Sequence, residues 1–340
     1  VPVVPGAGGP LCYHDRRRRA HRHRGGAVAQ EQTGGTGGFG RRVVTGPAGI
    51  ESDGPAPLTV DLPGGVGVSE LLWLDGPVRT VADGPDRTDG GFPLEPPPGG
   101  ASSRIIRMPA TGEWLRVAGD DDAVPGLHTT DTLDLMVVLD GAVVLGMADG
   151  SETVVQAGDA VVQRGTAHRW KVAGDRPCTY WVSMLRPDPG APASGPLAPR
   201  AGAHGRRLVT GGTGVVECPA SVGLSVVYDV WRTGGPLRTV DQGGDPDAPW
   251  TVDGPPGDVA LRLVEMPPGP PTEAGWHATP TIDIDMVLRG RVGLELDGGI
   301  TTELGPGDAV VQRGTNHRWW AIGDEPAAWA AIMWTVDPGA

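Results

Sequence analysis

Two seven-residue segments carry the same reactive side chains at the same spacing: His128-Thr129-Thr130-Asp131-Thr132-Leu133-Asp134 and His277-Ala278-Thr279-Pro280-Thr281-Ile282-Asp283. Side chains alternate along an extended strand, so His128, Thr130, Thr132 and Asp134 project from one face, and His277, Thr279, Thr281 and Asp283 do the same. Met136 and Val138 continue that face as apolar residues, which turns it toward a protein interior. A carboxylate there is costly unless paired or coordinated. Further along, His168 and His317 each stand three residues after a glycine, Gly165 and Gly314, in the near-identical segments GDAVVQRGTAHRW and GDAVVQRGTNHRW. A turn and a returning strand would bring each histidine back to the first. The candidate metal ligands are therefore His128, Asp134 and His168 in one set and His277, Asp283 and His317 in the other. Two imidazoles and one carboxylate on one side of an ion leave open positions for water, substrate or dioxygen, an arrangement associated with non-haem iron. The plainer alternative is a metal-free barrel in which the aspartate accepts hydrogen bonds from a neighbouring threonine or histidine.

Other residues share these faces. Trp170 and Trp319 have the strand parity of His168 and His317, and with Thr130, Thr279 and Met136 they are candidates for a substrate pocket. Trp320 stands beside them. Core packing is the better claim on the indoles, because the chain has only Phe 2 and Tyr 3 against Trp 11. Met136 corresponds to Asp285 in the second segment, and an inward Asp285 would be a catalytic proton-transfer group; a local bulge would instead turn it outward. Arg164 and Arg313 read as turn residues paired with Asp159 and Asp308, in preference to an anion clamp.

These segments belong to a larger repeat. RRVVTG at Arg41–Gly46 returns as RRLVTG at Arg206–Gly211, and GPVRTV at Gly76–Val81 returns as GPLRTV at Gly235–Val240, in the same order as the histidine segments. The chain thus divides into copies over 41–190 and 206–340, joined by the Pro/Ala/Gly linker 191–205. Within each copy, short apolar runs are separated by Gly and Asp turn signals, and no helical period is sustained. In the first copy, strands over 133–139, 142–147 and 153–156 are expected to be joined by hairpins. With Gly 56 and Pro 35 in 340 residues, an all-β protein of two tandem jelly-roll barrels follows. Residues 1–40, with the run HDRRRRAHRHR, are low-complexity and expected to be a disordered extension or sequence upstream of the natural start.

Charge narrows the partners. A formal net charge of −13 would repel a phosphate backbone, so nucleic acid is not expected. Three widely spaced cysteines suggest no disulfide framework, and no apolar segment suggests a leader or a membrane span. A cytoplasmic protein is the expectation, with the two barrels packed as an intrachain pseudo-dimer and a homodimer compatible with it.

The two segments resemble the motifs of the cupin superfamily, G(X)5HXH(X)3,4E(X)6G and G(X)5PXG(X)2H(X)3N. His128 and His277 match the first histidine, Asp134 and Asp283 fall at the glutamate, and His168 and His317 match the histidine of the second motif. Thr130 and Thr279 replace the remaining histidine, and the Pro-x-Gly turn is one residue shorter. The resemblance implies a bicupin, similar to small cupins associated with natural-product pathways. It further implies a divalent metal, Fe(II) before Mn, Ni or Zn, and a dioxygenase or other oxidoreductase acting on a small organic substrate, aromatic or polyketide-like. A cupin isomerase or polyketide cyclase, and a non-catalytic ligand-binding bicupin, are the alternatives.

Overall fold

The alternation seen in the sequence is what organises the computed structural model, which describes residues 40–339 apart from 85, 88–91, 118–122, 189–206, 210–211, 214–218, 223–224, 241 and 245–250. The expected extension over 1–40, save Gly40, and the linker 191–205 lie outside the described residues. Strands dominate, and the helical turns present are the short Glu273–Gly275 and Asp297–Gly299. No helix of the described residues is long and apolar enough to cross a membrane. The fold is all-β, two jelly-roll barrels in tandem, each built from an eight-stranded and a three-stranded sheet.

In the strand Leu133–Asp140, Leu133, Leu135 and Val137 look one way and Asp134, Met136 and Val138 the other, yet all six are buried. The first set joins a core common to both copies, which includes Trp181, Leu261, Ile282, Ile284 and Trp334. The second set faces the inside of its own barrel, where Met136 and Val138 pack with Val161, Trp170 and Tyr180. A strand covered on both sides reads as a nearly continuous apolar run. The partner strand Thr281–Arg289 does the same in the second copy.

The turn after Leu133–Asp140 is not the expected hairpin. That strand pairs with Ala160–Arg164 and Cys178–Leu185, whereas the following strand, Ala142–Met147, pairs with His168–Val172 and Glu152–Gln156 in the other sheet. Gly141 is therefore a corner between sheets. Its φ of 76° suits glycine, and a Cβ there would stand 2.5 Å from the Pro177 carbonyl oxygen. A true hairpin joins Ala142–Met147 to Glu152–Gln156.

The two copies exchange their first strands. Arg42–Gly46, from the start of the first copy, lies parallel to Ala309–Arg313 of the second, with Arg42 opposite Ala309. Arg207–Val209, from the start of the second copy, lies parallel to Ala160–Arg164 of the first, with Arg207 opposite Ala160. The large sheet of each barrel is thus completed by the other copy, a refinement of the boundaries 41–190 and 206–340. The interlock continues at the arginines. Arg313 donates not to Asp308 but to the Asp83 and Gly84 carbonyls of the first copy, at 2.9 and 2.7 Å, which replaces the expected local pairing. Asp308 instead accepts from the backbone N–H groups of Gly305 and Arg41.

Candidate functional site

Each pair of histidines is brought together by backbone. His128 and His168 form an antiparallel bridge, exchanging N–H···O bonds of 3.0 and 2.9 Å, and their ring centroids stand 4.4 Å apart. His277 and His317 repeat this with bonds of 3.0 and 2.9 Å and rings 4.3 Å apart.

Each ring meets a carbonyl, which can only accept, through Nδ1; at His168 and His317 the amide nitrogens of Gln163 and Gln312 approach that same atom, at 2.9 and 3.1 Å. Nδ1 of His128, His168, His277 and His317 donates to the carbonyls of Gly126, Thr166, Gly275 and Thr315, at 2.9, 2.9, 2.9 and 2.8 Å. Among the described residues each Nε2 makes no hydrogen bond, so its lone pair is free. This is how an imidazole is oriented for a metal or for a proton. Burial, and then the neighbouring imidazole, push His168 and His317 down to about 4, so both rings stay neutral at physiological pH.

Gln163 and Gln312, which motif reasoning passed over, hold the turns that carry these histidines. Gln163 Nε2 donates to the Thr166 carbonyl at 2.8 Å and to Thr166 Oγ1 at 2.6 Å. Gln312 Nε2 donates to the same atoms of Thr315. Their Oε1 atoms are buried without a partner, as are Asp134 Oδ1 and Asp283 Oδ1. The signal available in sequence was the pair of identical VVQRGT strings, in which a glutamine takes its place among buried valines.

All the sequence candidates reach cavity walls. His128, Thr130, Asp134, Met136, His168 and Trp170 line a cavity of about 420 Å³ in the first barrel. His277, Thr279, Asp283, Asp285, His317 and Trp319 line one of about 550 Å³ in the second. Asp285 faces inward, since the bulge in its strand comes later, between Val287 and Arg289. Tyr180 and Trp329, which sequence reasoning did not select, complete the aromatic walls: Tyr180 stacks on Trp170, and Trp329 stands 5.5 Å from Trp319.

The aspartates fall short of the expected ligand sets. Among the described residues no three His, Cys, Asp or Glu side chains gather closely enough to hold one ion. His168 and His317 belong to the three-stranded sheets, whereas Asp134 and Asp283 project from the eight-stranded sheets on the other side of the barrel. Aspartate is one methylene shorter than the glutamate of the cupin motif. Burial raises Asp134 to about 7, and it outweighs the nearby charge of Arg262 to raise Asp283 as well, as expected of a carboxyl in a largely apolar wall. The donor chemistry still fits a divalent ion at the imidazole pair: two neutral rings with oriented, free Nε2 atoms, and an acceptor carboxylate facing the same space.

Residues 262–335 match the family model of the cupin domain. Oryzines biosynthesis cluster protein J of Aspergillus oryzae is 44% identical over 64 residues, 19% of this chain and 35% of that protein. The cupin-domain-containing oxidoreductase srdD of Neurospora crassa is 30% identical over 76 residues, 22% of this chain and 38% of that protein. These matches span about a third of the relatives' own length. Among solved structures, AerE from Microcystis aeruginosa aligns over 82% of this chain and 97% of its own, at 10% identity and TM-score 0.46. The second barrel thus carries a cupin domain over residues 262–335, and the first barrel is built on the same repeat.

Proposed function

We propose that this bicupin is a metal-dependent oxidoreductase of the dioxygenase type, acting on a small, largely apolar organic substrate held inside the barrel. The observation that carries the reading is the imidazole pair, formed twice, with each Nδ1 tied to a carbonyl and each Nε2 free. His128 with His168, and His277 with His317, would hold the ion; Fe(II) leads, with Mn, Ni and Zn as alternatives. A bound redox-active ion supplies Lewis-acid and electron-transfer chemistry in the positions that the protein leaves open.

The remaining work falls to the chain. Trp170, Tyr180 and Met136 give an apolar wall that positions an aromatic or polyketide-like body and excludes water. Asp134 and Asp283, set back from the histidines, can hold or accept a proton close to neutral pH. The name of one relative, an oxidoreductase, and the biosynthesis-cluster name of another support a small-molecule role. A second reading, an isomerase or cyclase without metal, is favoured by one specific observation: neutral imidazoles and a raised carboxyl line the same cavity with no three-ligand group among the described residues.

The two readings differ in what they consume. Fe(II)-loaded protein is expected to take up dioxygen with phenolic or polyketide-like substrates in an oxygen electrode, and a variant with both His168→Ala and His317→Ala should lose that uptake. Conversion of substrate to an isomer with no oxygen consumed would replace the oxidoreductase by the cyclase.

A further inference from the structure

The two cavities differ in chemistry. At matching places in the repeat, Met136, Tyr180 and Val182 of the first barrel become Asp285, Trp329 and Ala331 in the second, and all six line their cavities. The second cavity gains volume, a carboxylate and an indole together.

Asp285 is 7% exposed and Asp283 is 5% exposed, and they stand two residues apart on the strand Thr281–Arg289, on the same face. Asp283 Oδ1 is fully buried with no hydrogen-bond partner. The cation on this wall is Arg262, and it is already engaged. Its Nε donates to Asp229 Oδ1 at 2.6 Å, and its other arms donate to the Val252 and Thr251 carbonyls. Asp229 is held by Arg262 and Arg232 together, and Arg262 acts on Asp283 only as a nearby charge, so among the described residues no cation is hydrogen-bonded to Asp283 or Asp285, and two like charges so placed in a low-dielectric wall are unfavourable. Trp319 and Trp329 line the same pocket with ring centroids 5.5 Å apart. Indole is the best face for a cation, ahead of the phenol that the first barrel has at the position of Trp329. The Trp329 side chain hydrogen-bonds Asp285, so the exchanges of Met for Asp and Tyr for Trp are one linked change that brings a carboxylate and an indole into the cavity together.

We infer that the second barrel selects a small organic cation, an amine or quaternary ammonium on an apolar or aromatic body. Its charge lies against Asp283 and Asp285 and its body against Trp319 and Trp329. The inference rests on the proposed function only in calling this ligand a substrate.

Calorimetric titration of the full chain in the presence of chelator tests it, with benzylamine and benzyltrimethylammonium as probes and benzyl alcohol as the neutral comparison. Binding of the cations is expected at about one per chain and about tenfold or more tighter than the alcohol, a difference of about 1.4 kcal/mol. Asp285→Met, which installs the residue of the first barrel, should remove that preference, and Asp285→Asn should do so where the Met variant fails to fold. Met136→Asp should add a second cation site. Equal affinity for amine and alcohol, no cation binding at millimolar concentration, or unchanged binding in both Asp285 variants would overturn the inference. So would binding of a divalent ion alone that depends on Asp285. Because the chelator removes any metal, failure of the metal reading leaves this result readable.

Discussion

A carboxyl that must stay inside an apolar barrel reports its surroundings through its proton. Asp134 is 7% exposed and its carboxyl is raised by burial to about 7, against an unperturbed value near 4. Between these values the folded, metal-free chain holds a proton that the unfolded chain has released. Folding stability from this group therefore falls as pH rises through that window, and the full penalty stands above about 7. His168 and His317, pushed down, act in the opposite sense between about 4 and 6.5, so the effect of Asp134 is best isolated as a difference. In chelated protein, the stability of Asp134→Asn relative to the parent should rise between pH 4 and pH 7, by up to about 4 kcal/mol. Urea unfolding at a series of pH values measures it, and a flat difference would place the carboxyl in a solvated environment. The parity of the strands was enough to put every candidate side chain on a cavity wall, because alternation is a property of the chain alone. Whether Asp134 reaches the histidines was not legible, because it depends on the distance between two sheets and on one methylene. The role of Gln163 was missed for a related reason: its hydrogen bonds close on a turn whose shape appears only on folding.

At the scale of elements, the unexpected feature is the exchange of first strands. Arg42–Gly46 and Arg207–Val209 come from near-identical hexapeptides, and each would fit beside either copy of the AVVQR strand. A sequence whose two partners are the same cannot say which one it joins. The corner at Gly141 was hidden differently, since a glycine turn between two apolar runs looks the same whether the chain doubles back or passes to another sheet. The exchange carries its own test. With a protease site placed in 191–205 and cut after purification, the two halves should remain together in gel filtration at neutral pH and separate only when denaturant unfolds them. Halves that part in buffer as two folded barrels would contradict the pairing of Arg42–Gly46 with Ala309–Arg313.

For the molecule as a whole, the shared core explains why the two sites come as a pair. Leu133, Leu135 and Val137 of one copy and Ile282, Ile284 and Met286 of the other pack into the same buried cluster, so each cavity is backed by the strand that also supports its twin. The turns beside the two second-motif histidines are touched from across: a Cβ on Gly314 would stand 2.8 Å from Val81, and one on Gly165 would stand 3.0 Å from Val240. The repeat predicted two like barrels, and their like imidazole pairs make the central claim countable. Metal analysis of the full chain, purified without a metal-chelating tag and then reconstituted with Fe(II), should find about two ions per chain, one for each imidazole pair. His168→Ala should halve that number, and His168→Ala with His317→Ala should abolish it. No ion taken up by the parent chain, or an ion count unchanged in the double variant, would contradict the account.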